Sequence, residues 1–173
     1  MKRVLIFGIL TLIWCGVIFA FSAQDGTKST ETSSKVVEKV SEIVVEDYKT
    51  MPPAEQQDVI SRMTNVVRKS AHFFEFAILG IFLFQFYSFA MNMLYRFSLA
   101  QFTAMLYACS DELHQYYVSG RGCYFSDVLI DSSGALLTIT ISALISSLAA
   151  SVAVIRKSKK SKKKKLHERS TTA

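Results

Sequence analysis

Residues 111–131 read DELHQYYVSGRGCYFSDVLID and separate two strongly apolar stretches of the chain. A second polar stretch, RKSAHFFE at 68–75, opens the apolar run that comes before them. Ionisable side chains cost roughly 2.5–3.5 kcal/mol each at the middle of a bilayer on insertion scales, and they usually face a partner or a wet cavity. Their number here indicates a working site at or within membrane spans.

The apolar residues are concentrated in blocks, whereas a soluble domain would spread them periodically along its elements. Half of the 173 residues are hydrophobic. Four apolar blocks lie at about 4–22, 71–94, 97–118 and 128–155, and each reaches the roughly 20 residues of helix needed to cross a hydrocarbon core. The sequence therefore predicts an all-α fold, an integral membrane bundle of four transmembrane helices, as one domain over residues 1–155.

The positive charge is concentrated at the C-terminal end of the sequence. From Arg156 onward there are nine Lys and Arg residues and one acid, so this segment carries a charge of +8. Since the net charge of the sequence is +6, the rest of the chain carries −2. Such a run of like charges predicts a disordered polybasic tail over residues 156–173, held near anionic lipid. We expect no nucleic-acid binding, because no aromatic residues or folded module accompany the charges.

The Lys and Arg residues of the short flanking segments predict the orientation of the spans. Lys2 and Arg3 precede the first span, Arg96 lies between the second and third, and the basic tail follows the fourth. All fall on one side of a four-span bundle, which the positive-inside rule makes cytoplasmic. We therefore expect a multi-pass protein with both termini cytoplasmic, and with segment 23–70 and the loop around Arg121 outside.

This orientation gathers the unusual polar side chains at the outer leaflet, where the second, third and fourth spans each have one end. Spacings of three and four residues put the ionisable groups of each helix on one face. Arg68 and Lys69 lie at the outer edge against the rule, and pairing with nearby acids would explain them. The candidate site residues are His72, Glu75, Asp111, Glu112, His114, Gln115, Arg121 and Asp127.

Two functions of different classes fit this cluster. In a membrane-embedded enzyme, the catalytic candidates would be a histidine general base and the carboxylates that tune it, namely His72, Glu75, Asp111, Glu112 and His114. Substrate binding would fall to Gln115, Arg121 and Asp127, because a guanidinium holds phosphate or carboxylate in a bidentate contact. In a non-catalytic protein, the same cluster would bind a headgroup, a ligand or a partner.

A metal site and a purely structural cluster are the remaining alternatives. His72 with Glu75, and Asp111 with His114, are carboxylate–histidine pairs at three-residue spacing, a geometry that metal sites in helix bundles use. Salt-bridged helix faces produce the same pairs, so the sequence predicts no metal and no cofactor. Charge pairing could also simply lock the helices together, and that is the favoured interpretation for Asp131.

The outer segment 23–70 is amphipathic. Ser and Thr residues at 29–34 are typical of a helix start, and apolar residues follow at helical spacing up to Val44. Pro53 begins a second helix, which we expect to run straight into the second span. The two helices either cover the polar cluster as a lid or rest as a hairpin on the bilayer surface.

The motifs resemble those of the VanZ-like family of bacterial membrane proteins, named for a teicoplanin-resistance protein. The resemblance rests on FSAQ at 21–24 with Ser29 and Ser33, on KSAHFFEF at 69–76, and on DELHQ at 111–115 with Arg121, Asp127 and Gly134. In this order and spacing the set is specific, and it covers the chain from about residue 5 to residue 150.

The resemblance implies a protein of the bacterial cytoplasmic membrane that acts in cell-envelope biology or in low-level resistance to teicoplanin-type glycopeptides. The expected partner is a membrane lipid or a lipid-linked envelope component. An enzymatic role, as a hydrolase or transferase acting on a lipid-linked or headgroup substrate, is the alternative. Some relatives are described as phosphotransbutyrylases, but this sequence has no glycine loop that would bind phosphate.

Overall fold

The computed structural model describes residues 2–90 and 92–171, and within them every regular element is a helix. Its α-helices are α1 (Lys2–Ser22), α2 (Gly26–Val44), α3 (Pro53–Phe86), α4 (Met93–Tyr116) and α5 (Phe125–Thr171), with 3-10 turns at Tyr48–Thr50 and Tyr87–Phe89. The predicted all-α fold is confirmed for this part of the chain.

The chain forms two units, one ending at Ile139 and the other beginning at Thr140. The first unit holds α1 to α4 with the opening turns of α5, and all candidate site residues belong to it. The second unit is the remainder of α5.

The basic segment differs from its prediction. Disorder is expected from residue 156 onward, whereas the described backbone is helical as far as Thr171; residues 172 and 173 lie outside the described part. Adding a residue to an existing helix is far easier than starting one, and lysine is a good helix former. A helix already formed over the apolar part of α5 can therefore continue into the basic residues.

The second apolar block is the C-terminal part of a longer helix. α3 runs for 34 residues from Pro53, which stands in the first turn, where its missing N–H costs no helical hydrogen bond. The helix that begins at Pro53 therefore continues directly into the second apolar block, as predicted. It ends at Phe86 rather than near residue 94. The 3-10 turn at Tyr87–Phe89 follows, and Asn92 then starts the next helix by accepting a hydrogen bond from the Leu94 N–H at 2.8 Å.

Three helices among the described residues are long and apolar enough to cross a membrane. They are Lys2–Ser22, Pro53–Phe89 and Phe125–Lys160. With 24 residues, α4 is long enough, but Arg96, Asp111 and Glu112 lie within it and make it more polar than the others. Of the four predicted spans, three thus have helices suited to a bilayer by length and composition.

Close contact between helix backbones fixes α5 against α3. A Cβ atom on Gly134 would lie 2.2 Å from the carbonyl oxygen of Phe73, and one on Gly80 would lie 2.7 Å from that of Ala135. The hydroxyl of Thr138 also donates across the crossing to the Ala77 carbonyl at 2.6 Å. Small residues allow helices in membranes to approach in this way, and the crossing brings Asp131 of α5 beside His72 of α3.

One end of the first unit is basic. The guanidinium groups of Arg3 and Arg96 both donate to the side-chain oxygen of Gln85. Arg96 also lies over the ring of Phe84, 3.8 Å from its centroid. The start of α1 and the connection between α3 and α4 therefore lie together, as the charge pattern predicts.

Helix α2 packs on the first half of α3. Val37 is fully buried between them, and the Ser41 hydroxyl contacts the Met63 sulfur at 3.2 Å. Other apolar residues of α2 face away, with Ile43 84% exposed and Val44 69% exposed. The helix pair thus has a packed face and an uncovered apolar face.

Candidate functional site

The polar residues of α1, α4 and the following loop form a hydrogen-bonded group around Asp111. The carboxylate oxygen Oδ2 of Asp111 accepts from the Ser22 hydroxyl at 2.8 Å and from the Gln115 amide at 2.9 Å. Asp111 and Gln115 are only 3% and 6% exposed. These contacts bind the end of α1 to the end of α4 and fix the orientation of a buried carboxylate.

Arg121 extends this group towards the surface. Its two terminal nitrogens donate to the Gln115 side-chain oxygen and to the Phe21 carbonyl, both at 3.2 Å. Burial lowers the pKa of Arg121 from its ordinary value, and the nearby Arg68 guanidinium acts in the same direction. The hydrogen-bond acceptors of Arg121 are neutral, although the carboxylates of Asp111, Glu112 and Glu75 are near enough to favour its charged form.

The loop that carries Arg121 is fixed by backbone contacts. Gly120 has a φ of 71°, a left-handed conformation that L side chains adopt only with strain. The Gly26 N–H, at the start of α2, donates to the Ser119 carbonyl at 3.0 Å. The beginning of α2 therefore lies against this loop and helps to position Arg121.

His72 and Glu75 form a largely buried pair on α3. The Nδ1 of His72 lies 3.4 Å from the Glu75 carboxylate. This distance fits an ion pair, although neither atom makes a hydrogen bond of normal geometry with the described residues. The Trp14 indole N–H donates to the Glu75 backbone carbonyl at 2.8 Å and so packs α1 against this turn of α3.

Asp131 lies deeper than the sequence alone suggests. It is 1% exposed, and neither carboxylate oxygen has a hydrogen-bond partner among the described residues. One potential ligand atom each from His72, Asp111 and Asp131 lie within 4.8 Å of one another. Sequence analysis set Asp131 aside as structural; the signal available was its spacing of four residues from Asp127, which puts it one helical turn further into the bundle.

The remaining candidates have partners of their own. Glu112 accepts a hydrogen bond from the Tyr124 N–H at 2.9 Å, next to the start of α5, while the His114 ring stacks on Phe19 at 4.3 Å between centroids. Asp127 pairs with Lys69, as expected for that lysine, whereas Arg68 forms no salt bridge with a carboxylate within the described residues. Of the two carboxylate–histidine pairs considered for metal, His72 and Glu75 on α3 are in contact, whereas the His114 ring stacks on Phe19.

Two cavities adjoin these residues. A cleft of about 320 Å³ is lined by Ser33, Arg68, His72, Glu75 and Arg121, among others. A second cavity of about 10 Å³ touches His72, Gln115, Asp127 and Asp131, and this volume suffices for about one water molecule. The larger cleft therefore presents two guanidinium groups beside a histidine–carboxylate pair.

The structure thus brings six residues together and leaves three candidates at the edge. The first group consists of His72, Glu75, Asp111, Gln115, Arg121 and Asp131. The second consists of Glu112, His114 and Asp127. Arg68 lines the cleft as well, and sequence analysis treated it only as an exception to the charge rule.

Comparison with known proteins gives one match. A family model described as VanZ/LLP1 matches residues 7–146, which include most of α1, all of α2 to α4, the first half of α5 and every residue of the site. No curated protein and no solved structure matches the chain. Since the model spans most of the sequence, and the apolar helices agree with it, the chain is a membrane protein that belongs to the VanZ/LLP1 family.

Proposed function

We propose that this protein acts in the bacterial cell envelope by binding the anionic headgroup of a lipid, or of a lipid-linked component, at the outer face of the cytoplasmic membrane. The observation that carries the proposal is the 320 Å³ cleft with Arg68 and Arg121 in its wall. Guanidinium groups bind phosphate and carboxylate through paired, charge-assisted hydrogen bonds. At the outer face of a membrane, the anions that such a cleft would meet are the headgroups of lipids.

The charges around the cleft support this ligand class. Neither Arg68 nor Arg121 forms a salt bridge with a carboxylate within the described residues. Lys69, by contrast, is already paired with Asp127. Two of the cations near the cleft, Arg68 and Arg121, are thus free to pair with an anionic ligand.

The proposed orientation follows from the basic end of the bundle. Arg3 and Arg96 meet at Gln85, at the end of α3 remote from the cleft. With that end cytoplasmic by the positive-inside rule, the cleft faces outward and α4 serves as the fourth span. Both termini are then cytoplasmic, and the basic residues of α5 lie near anionic lipid.

A contribution to low-level teicoplanin-type resistance is part of the proposal. A protein that occupies or sequesters an envelope headgroup at the outer surface changes how a lipid-tailed glycopeptide meets that surface. Family membership supports this assignment, and cellular susceptibility tests it.

Binding can be measured with the protein's own fluorescence. Trp14 is the only tryptophan in the sequence, and its indole N–H is hydrogen-bonded to Glu75, a residue of the cleft wall. We expect short-chain phosphatidylglycerol to change the Trp14 emission in a saturable way, and phosphatidylcholine of equal chain length to have a much smaller effect.

The variant Arg121→Ala should weaken phosphatidylglycerol binding by about 10- to 100-fold, since hydrogen bonds to charged groups contribute roughly 1.5–3 kcal/mol. Arg62→Ala is the matched control, because Arg62 lies on α3 outside the cleft, is exposed, and pairs with Asp58. Equal binding of the two lipids, or equal affinities of the two variants, would contradict the proposal.

An enzymatic function is the second candidate, favoured by the His72–Glu75 pair in the wall of the same cleft. A histidine beside a carboxylate is a common general base. Turnover of lipid-linked envelope precursors by the purified protein, followed by mass spectrometry, tests it. We expect Glu75→Gln to abolish turnover while headgroup binding remains; absence of any product with the wild-type protein would leave binding as the function.

A further inference from the structure

Behind the cleft lies a buried cluster that combines two carboxylates with one imidazole. Candidate ligand atoms of His72, Asp111 and Asp131 lie within 4.8 Å of one another, although the residues come from three different helices. Atoms that bind one metal ion at about 2.0–2.2 Å must lie at most about 4.4 Å apart. The observed cluster is therefore close to the size that a single ion requires.

The buried carboxylate of Asp131 has no partner of its own. It is 1% exposed, and both its oxygens lack a hydrogen bond within the described residues; the same holds for Oδ1 of Asp111, which is 3% exposed. Ionised carboxylates are rarely buried unless they are paired or bind a metal. Two basic side chains, Arg68 and Lys69, line the small cavity beside Asp131. Lys69 is paired with Asp127, and Arg68 forms no salt bridge with a carboxylate within the described residues.

We propose that His72, Asp111 and Asp131 bind one divalent metal ion of the Zn²⁺ or Mn²⁺ type. An ion of charge +2 would balance the two carboxylates of the cluster, neither of which forms a salt bridge with a basic side chain among the described residues. One imidazole with two carboxylates suits these ions, whereas Ca²⁺ and Mg²⁺ prefer a shell made of oxygen alone.

The surroundings already hold the ligands in place. Oδ2 of Asp111 is held by Ser22 and Gln115 at 2.8 and 2.9 Å, which leaves Oδ1 without a hydrogen bond among the described residues. The Glu75 carboxylate lies 3.4 Å from Nδ1 of His72. Carboxylates and hydrogen bonds of this kind orient metal ligands and increase their basicity.

Space for a further ligand lies beside the cluster. The cavity of about 10 Å³ touches both His72 and Asp131 and can hold about one water molecule. Three protein ligands with a water in the fourth position are typical of catalytic rather than structural zinc sites. The inference concerns the three ligands alone and stands whether or not the cleft binds a headgroup.

The test uses the full chain, without an affinity tag, purified in detergent. After removal of bound metal, the protein is titrated with Zn²⁺ and with Mn²⁺ by calorimetry, and metal content is measured by mass spectrometry. We expect one ion per chain, and an increase in the unfolding temperature when that ion is added.

Two matched pairs of variants identify the ligands. Asp131→Asn should weaken metal binding by at least about 100-fold, since the loss of a mere orienting group already costs 10- to 100-fold. Asp58→Asn, at an exposed carboxylate of α3 that pairs with Arg62 away from the cluster, should change it less than about threefold. Likewise His72→Ala should abolish binding, while His114→Ala should retain it, because His114 stacks on Phe19 instead.

The stability of the Asp131→Asn variant without metal distinguishes loss of metal binding from loss of folding. Because Asp131 has no hydrogen-bond partner, Asp131→Asn should fold as well as the wild-type protein when no metal is present. The unfolding temperature of this variant should then not respond to added metal. The proposal is overturned if the wild-type protein binds neither ion, or if both members of a variant pair bind equally well.

Discussion

A single added methyl group at Gly134 should loosen the crossing on which the site depends. The new Cβ would lie 2.2 Å from the Phe73 carbonyl oxygen, and ordinary contact begins at 3.4 Å, so one helix must move by about 1 Å. The obstacle is backbone, which cannot rotate away as a side chain can. Overpacking of this kind costs about 1–3 kcal/mol, and we expect Gly134→Ala to fall at the upper end of that range.

The same substitution at Gly16 provides the control. A Cβ on Gly16 meets nothing within 4 Å, and alanine is favoured over glycine in a helix by roughly 0.5–1 kcal/mol. Gly16→Ala should therefore be neutral or stabilising. The two variants should differ by about 3 kcal/mol in their free energy of unfolding, measured by titration with sodium dodecyl sulfate in mixed micelles and followed by circular dichroism.

Because the crossing also brings Asp131 beside His72, Gly134→Ala should impair metal binding and Gly16→Ala should not. Equal stability of the two variants would show that α3 and α5 do not approach each other as described. The proposed metal cluster of His72, Asp111 and Asp131 would then lack its structural basis, because it depends on that approach.

Three further substitutions give graded outcomes in the same unfolding assay. Ser22→Ala removes the hydroxyl that donates to buried Asp111 at 2.8 Å and should cost about 1.5–3 kcal/mol, the usual contribution of a hydrogen bond to a charged group. Gly120→Ala places a side chain at a φ of 71° and should cost roughly 1–2 kcal/mol, with weaker headgroup binding because Arg121 follows directly. Asp127→Asn removes a partly exposed ion pair with Lys69 and should cost less than about 1 kcal/mol, with a smaller difference in high salt.

Local patterns in the sequence were sufficient to predict most of the helices. Apolar length indicates α1 and α5, the proline pair marks the start of α3, and Asn92 can be identified afterwards as the cap that starts α4. Composition alone overstates the disorder of the basic segment that begins at Arg156, because composition reports charge and not the tendency of an existing helix to continue. It also says nothing about which apolar faces of α2 are covered, since that depends on how α2 packs against α3.

The composition of the site was harder to predict than its location. Helical spacing puts His72, Glu75 and Asp111 on inward faces, and the structure brings them together. Spacing could not show that His114 would stack on Phe19, or that Asp131 would lie between helices without a partner. Both facts depend on the relative rotation and depth of separate helices, which no pattern within one helix contains.

The most direct test of the central claim, that the polar end of the bundle is the functional site, is made in cells. Susceptibility to teicoplanin is compared between the deletion strain and strains complemented with the wild-type protein, Arg121→Ala or Arg62→Ala, each shown to be present in the membrane at equal levels. We predict that deletion sensitises the cells, that wild type and Arg62→Ala restore growth, and that Arg121→Ala does not. Full rescue by Arg121→Ala, or a deletion without effect, would contradict the account.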